Sequence, residues 1–232
     1  MILYRRLNNL LHPKLGKILM LHRVSASRSN SPSLRQLEVT PSFLEETIIS
    51  FRNLNYDFIG ISDVMQLVKT ANHHKPFVCF TFDDGYLDTL TTALPILQRH
   101  GVPLCIYLTN HFIDGSSSPH WDSTAPMLSA SDLRTLARDP LCTIGAHTLS
   151  HPHLSLLTPQ QQREEIIQGR QQLEQLVSQP INHFAYPHGD YNQTTINLVR
   201  EAGFKTAVTC SGRHIRSNSH PLILDRIILQ QS

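Results

Sequence analysis

The sequence predicts a single α/β domain, a barrel of seven or eight largely parallel strands that need not close fully. Two observations carry that expectation. Short apolar, β-rich runs alternate with helical patterns along the chain, which is the pattern of successive βα units. The 232 residues, 40% hydrophobic and 16% charged, are enough for one well-buried core, and no linker or internal repeat divides them.

The elements follow in order. Residues 1–16 form an N-terminal segment, set apart from the domain expected at 17–232. Within it Ile2, Leu3, Leu7, Leu10 and Leu11 give residues 1–11 the spacing of a short amphipathic helix. Such a helix either caps the domain or, helped by Arg5 and Arg6, touches a membrane surface at its periphery. Arg5, Arg6, Pro13, Lys14 and Lys17 interrupt the apolar residues, so the stretch lacks the continuous core of a secretory signal. No apolar run reaches the roughly 18–20 residues of a membrane span. The expectation is a cytoplasmic protein, at most peripheral to a membrane.

Strands are expected at Lys17–Leu21, Phe58–Ile61, Phe77–Phe82, Leu104–Leu108, Thr143–Ala146, Phe184–Tyr186, Thr206–Cys210 and Leu222–Ile228. Helices lie between them. Thr40-Pro41-Ser42 opens one that runs to about Leu54, and Ser62-Asp63 caps another reaching about Thr70. Leu87–His100 stops at Gly101-Val102-Pro103. Ser129–Arg138 is short, and Thr158–Ser178 is long, with Pro159 at its first helical position. Thr194–Ala202 ends at Gly203. Ser25–Ser33 and Phe112–Ala125 read as loops.

Composition narrows the function. Lys+Arg 20 against Asp+Glu 18 leaves a formal charge of +2, too balanced for a general nucleic-acid binder. The cysteines Cys79, Cys105, Cys142 and Cys210 are far apart with no CxxC pair, which argues against a disulfide scaffold or a structural zinc site. The 14 histidines point instead to metal ligation or acid/base work near neutral pH.

Three motifs carry chemistry, each after an expected strand. Phe80-Thr81-Phe82-Asp83-Asp84-Gly85-Tyr86 ends an apolar run in two adjacent carboxylates and a glycine. Functional groups of α/β proteins gather beyond the carboxyl ends of strands. Two close carboxylates do not both ionise cheaply without a cation, so a metal on one frees the other to act as a base. The plain alternative is that either aspartate caps a following helix.

Gly145-Ala146-His147-Thr148-Leu149-Ser150-His151-Pro152-His153 puts His147 and His151 four apart, on one side of a helical turn. With a carboxylate from Asp84 they make a two-His, one-carboxylate set that leaves positions open for water and substrate. His153 is a competing ligand, and the plain alternative is a polar surface loop. Phe184-Ala185-Tyr186-Pro187-His188-Gly189-Asp190-Tyr191-Asn192 is a strand end turned by Pro187 and Gly189. It either aims a backbone N–H into a site as an oxyanion donor or simply joins strand to helix.

Taken together, TFDDGY, HTLSH and FAYPHG resemble the polysaccharide deacetylases, the NodB-homology domains of carbohydrate esterase family four. The resemblance covers roughly Lys17 to Ile228 and extends to Leu19-Met20-Leu21-His22-Arg23, Ala93-Leu94-Pro95-Ile96-Leu97 and Ala202-Gly203-Phe204. The nearest subgroup is that of the poly-N-acetylglucosamine and surface-polysaccharide deacetylases. The resemblance implies a distorted (β/α) barrel of about seven strands and metal-dependent removal of acetyl groups from sugars. It implies Asp83 as general base and Asp84, His147 and His151 as ligands of a divalent metal, usually zinc. The His188 N–H is implied as oxyanion donor and His22 as general acid.

The sequence departs from the wider family in three places. Ala185 stands where an arginine often orients the base, and Arg226 is the candidate to replace it by pairing with Asp83. The C-terminal Leu-x-His acid motif is not evident, a gap that His22 fills. His188 stands in place of the usual tyrosine.

The expected partner is an acetylated oligo- or polysaccharide, free or lipid-linked. Tyr86, Trp121 and Tyr191 are candidates to line the cleft, with Trp121 the preferred sugar platform, and Pro187 is placed with the substrate-binding turn. Two other readings stay open: a non-catalytic sugar-binding or assembly subunit on the same fold, and an amidohydrolase acting on a non-sugar amide.

Overall fold

The computed structural model describes residues 14–70, 75–123 and 125–231. In chain order the strands are β1 (Lys14–Leu21), β2 (Arg23–Val24), β3 (Glu38–Val39), β4 (Asp57–Phe58), β5 (Phe77–Phe82), β6 (Leu104–Leu108), β7 (Cys142–Ala146), β8 (His183–Ala185), β9 (Thr206–Val208), β10 (Ile215–Arg216) and β11 (Ile227–Ile228). Seven of them lie side by side in the order β10-β1-β5-β6-β7-β8-β9. All neighbours on this path are parallel except β10, which runs antiparallel to the start of β1. The segment after β10 joins the two sides of the ring. Leu224 bridges to Val208 of β9, and β11 pairs in parallel with Leu19 and Met20 of β1. The result is the expected distorted barrel of about seven strands.

Side-chain alternation along each strand divides the core in two. Ile18, Cys79, Cys105, Tyr107, Ala185, Val208 and Leu224 pack together inside the ring. Their neighbours Leu19, Phe80, Leu104, Ile106, Leu108, Ile144, Phe184 and Ala207 join the outer core beneath the helices. Gly145 belongs to the inner set, where a Cβ would stand 2.4 Å from the Tyr107 ring. Glycine there makes the space that the tyrosine fills.

The same parity, continued past the strand ends, reaches Met20 and His22 from β1, Asp83 from β5, His147 from β7, Cys210 from β9, and Arg226 and Ile228 beyond Leu224. All of these but Arg226 line one cavity of about 480 Å³. Arg226 lies beneath that cavity with no exposed surface.

The helix starts are chemically explicit. Thr40 accepts the Phe43 amide ahead of Pro41–Asn53, and Ser129, Thr158 and Asn192 each make a capping box. Two expected helices are not regular. The stretch expected at Leu87–His100 opens as a π turn, Thr89–Ala93, before Leu94–Arg99, because Pro95 has no N–H to complete the α-helical ladder. The long helix is interrupted by a π turn at Glu164–Gln168, between Pro159–Arg163 and Gly169–Val177.

Several strand bounds move. β1 begins at Lys14, so residues 14–16 of the expected N-terminal segment belong to the barrel, and residues 1–13 lie outside the described residues. The strand expected at Phe58–Ile61 is Asp57–Phe58, and that expected at Phe184–Tyr186 is His183–Ala185. Thr206–Cys210 shortens to Thr206–Val208. Leu222–Ile228 pairs regularly only at Ile227–Ile228, because it crosses from β9 to β1. The pairs β2–β3 and β1–β10 involve two-residue strands, too short to leave a periodic signal. Among the described residues no helix is long and apolar enough to cross a membrane.

Candidate active site

The cavity opens at the carboxyl ends of the barrel strands. Asp83 is the next inward residue after Thr81 on β5, and its amide donates to Leu21 O (2.9 Å), continuing the sheet. Asp84 then takes a left-handed backbone, φ 70°, which returns its carboxylate to the same cavity instead of the opposite face. Thr148 (φ 69°), His151 (φ 64°) and His188 (φ 59°) share that conformation. Among the described residues, four of the seven non-glycine residues with positive φ therefore sit in the loops of this one site. Such backbone strain persists where surrounding structure enforces it.

Asp83 and Arg226 form a bidentate pair, with Nη1 and Nη2 each 2.6 Å from a carboxylate oxygen. The rest of the guanidinium is also occupied. Its Nε donates to Thr209 O (3.1 Å), Nη1 to Thr81 Oγ1 (3.1 Å) and Nη2 to Cys210 Sγ (3.8 Å). The Tyr107 ring lies 5.5 Å from its carbon centre. Burial opposes ionisation of Asp83, yet the Arg226 charge prevails and holds its pKa down to about 2. Arg226 thus makes the pairing with Asp83 for which the sequence made it a candidate.

Asp84 is the opposite case. It is 2% exposed, and its Oδ1 has no hydrogen-bond partner. That oxygen lies 3.8 Å from His147 Nε2 and 3.6 Å from His151 Nε2, too far for good hydrogen bonds. Burial, and then the Asp83 charge, raise its pKa well above the ordinary carboxylate value. His147 Nδ1 donates to the carbonyl of Ala185 (2.8 Å), which fixes the tautomer and points the Nε2 lone pair at Asp84. Burial lowers the pKa of His147 to about 4 and that of His151 to about 2, so both rings are neutral near neutral pH.

Two neutral imidazoles and the Asp84 oxygen therefore face one another without a good hydrogen bond between them. Asp84, His147 and His151 offer ligand atoms within 4.8 Å of one another, and this is the one such group found among the described residues. The orphaned Asp84 oxygen and the donor set fit a divalent cation.

The remaining candidates are placed as follows. His22 is half-buried on the cavity wall, and burial lowers its pKa, with Asp83 acting in the opposite sense. The turn Pro187–Gly189 is closed by Gly189 N–H to Tyr186 O and Asp190 N–H to Pro187 O, both 2.9 Å; the His188 amide takes part in neither bond. The His188 ring is exposed at the mouth and stacks on His153, with centroids 3.9 Å apart. His153 belongs to that outer layer, 3.9 Å from Asp190, and not to the Asp84 group. Trp121 forms part of the wall, 4.7 Å from the His151 ring, and His120 packs on its outer side.

Three expected cleft residues lie elsewhere. Tyr86 is fully buried behind the wall, where its hydroxyl accepts from Trp121 Nε1 (3.1 Å), because the chain turns away from the cavity after Asp84 and Gly85. Pro187 is buried inside its turn. Tyr191 packs on Tyr186, 5.0 Å away, outside the main cavity.

The main residue that motif reading passed over is Arg23. It binds Glu38 (3.1 Å), Asp88 (3.0 Å) and Asp122 (3.0 Å) at once. Through these bonds it ties the His22 strand end to the segments carrying Leu37 and Trp121. Its signal was present, since a charged residue stands two positions beyond the β1 apolar run, but its three partners lie in other segments of the chain.

The family model for polysaccharide deacetylase matches residues 70–207. The chain belongs to the polysaccharide deacetylase family. YxkH of Bacillus subtilis (strain 168) is 26% identical over 193 residues, covering 83% of this chain and 63% of that relative, so the match spans less than two thirds of it. The poly-beta-1,6-N-acetyl-D-glucosamine N-deacetylase of Staphylococcus aureus (strain MSSA476) is 21% identical over 209 residues, 87% of this chain and 71% of the relative. Among solved structures, the Streptococcus pyogenes deacetylase PplD in complex with acetate superposes with a TM-score of 0.81 at 22% identity, covering 93% of this chain and 92% of that one. IcaB from Ammonifex degensii gives 0.80 at 21% identity, with 94% and 92% covered. These two share the barrel fold of this chain.

Proposed function

We propose that this deacetylase is a metal-dependent hydrolase that removes acetyl groups from N-acetylated sugars of a polysaccharide or its precursor. The observation that carries the reading is the division of labour between adjacent carboxylates. Asp83 is ionised and held by Arg226, and Asp84 is left facing two neutral imidazoles. Asp84, His147 and His151 would hold the ion, and this donor set suits zinc. When bound, such an ion supplies Lewis acidity, polarising the acetyl carbonyl and lowering the pKa of a water.

The protein's own groups do the rest. Asp83, fixed in one rotamer by the Arg226 fork, accepts the proton of the attacking water. The His188 amide donates to the developing oxyanion, an interaction typically worth about 3–4 kcal/mol. His22, across the cavity, protonates the leaving amine, which could not depart as an anion. Asp83 favours the charged form of His22 against the cost of its burial. Trp121 offers an aromatic face at the wall for a sugar ring. The name of the Staphylococcus aureus relative supports a β-1,6-linked N-acetylglucosamine polymer as the first substrate to try.

The test is acetate release from N-acetylglucosamine oligomers by zinc-loaded protein. Chelation and Asp83→Asn should each abolish release. Release that survives both would overturn the reading, and release from simple amides but not from sugars would favour a non-sugar amidohydrolase.

A further inference from the structure

His147 and His151 are held by different means. The His147 ring is anchored directly through Nδ1 to Ala185 O (2.8 Å). The His151 Nδ1 is buried and has no partner, so its ring is placed by the backbone that carries it and by the rings around it. That backbone is strained at both Thr148 (φ 69°) and His151 (φ 64°).

The interrupted long helix grips this loop at two points. Glu165 lies inside the π turn, and its Oε2 accepts the consecutive amides of Leu149 (2.9 Å) and Ser150 (3.0 Å). Its Oε1 accepts the Ser150 hydroxyl (2.6 Å). Successive amides converging on one carboxylate form an anion-binding nest, here filled from within the protein. The next amide, that of His151, is taken by Thr148 Oγ1 (3.0 Å). Gly169, the first residue after the π turn, is the second point. A Cβ there would stand 3.3 Å from Leu149 N and from the Thr148 carbonyl carbon. Single π turns inside α-helices occur often at functional sites.

We infer that Glu165 is a positioning residue for the metal site, holding the His147–His151 loop in its strained form, and that the π turn aims it there. The inference rests on the reading of Asp84, His147 and His151 as metal ligands.

The experiment measures cobalt(II) and zinc affinity of the metal-stripped 232-residue chain by competition with a chromophoric chelator. The visible absorption of the cobalt(II) form reports ligand geometry. Glu165→Ala should weaken affinity about 10–100-fold, the range for residues that orient ligands, and shift the cobalt(II) spectrum. Glu165→Gln keeps an oxygen for the two amides and should restore most of the affinity. Gly169→Ala should also weaken affinity, because its Cβ would press on the backbone of Thr148 and Leu149. Unchanged affinity and spectrum in Glu165→Ala would overturn the inference. If that variant does not fold, unchanged affinity in Gly169→Ala would do so. Wild-type protein that binds neither ion would remove the metal reading itself, a result distinct from either.

Discussion

Asp83 and Asp84 are neighbours in sequence, both are almost fully buried, and the protein treats them in opposite ways. Asp83 meets an internal cation, Arg226, in a fork of two 2.6 Å bonds. Asp84 meets two neutral histidines and keeps an oxygen with no partner. The first arrangement is complete within the chain. The second has no such counter-charge, and the proposed metal ion would supply it. Burial of a carboxylate is therefore not informative alone; what decides its role is whether the fold supplies the counter-charge.

The largest effect should come from removing the Asp83 charge. Asp83→Asn is expected to lower turnover about 100- to 10,000-fold while leaving metal content unchanged, checked by kinetics beside elemental analysis. Loss of metal in that variant would blur the line between the two carboxylates.

Next comes the internal cation. Arg226→Met leaves Asp83 buried and unpaired, which should destabilise the protein by about 3–5 kcal/mol in urea melts. Adding Asp83→Asn to that variant should recover most of the loss, since no charge is then stranded. If the double variant is no more stable than the single one, the pair is not what holds this end of the barrel.

A smaller effect of opposite sign is expected at Asp84. Its pKa is raised in the folded chain, so the folded state holds a proton that the unfolded state has released. Stability of the metal-free protein therefore falls as pH rises above the ordinary value of 3.8. Asp84→Asn should stabilise the metal-free protein at neutral pH by roughly 1–3 kcal/mol, and that advantage should fade toward acid. Asp83 runs the other way. Its stabilisation is present above 3.8 and is lost as pH falls toward about 2.

The smallest change concerns the wall on the Asp84 side. Trp121→Ala should raise KM for an oligosaccharide about tenfold with little change in kcat, in line with an aromatic contact of about 0.5–1.5 kcal/mol. A fall in kcat instead would mean that Trp121 serves to hold His151 rather than the sugar.

Much of this was legible in the sequence, and the reason is parity. A strand that buries Cys79 inward must also aim Thr81 and Asp83 inward, and the same step rule leads from Ile18 to His22 and from Leu224 to Arg226. β5 and β6 begin and end where their apolar runs do. What parity does not carry is the backbone beyond the strand ends. The left-handed turn at Asp84 sends Tyr86 behind the wall, and nothing in TFDDGY marks that reversal except the glycine. The π turn at Glu164–Gln168 was also hidden, since the helical pattern runs through it without a break. Arg23 was missed because its carboxylates come from three separate segments.

The most direct test of the contrast between the two carboxylates is a calorimetric zinc titration of metal-stripped protein, repeated in buffers of different ionisation enthalpy. The account predicts about one ion per chain with release of a proton. Binding should persist in Asp83→Asn and disappear in Asp84→Asn. Binding that survives in Asp84→Asn, or vanishes in Asp83→Asn, would contradict it.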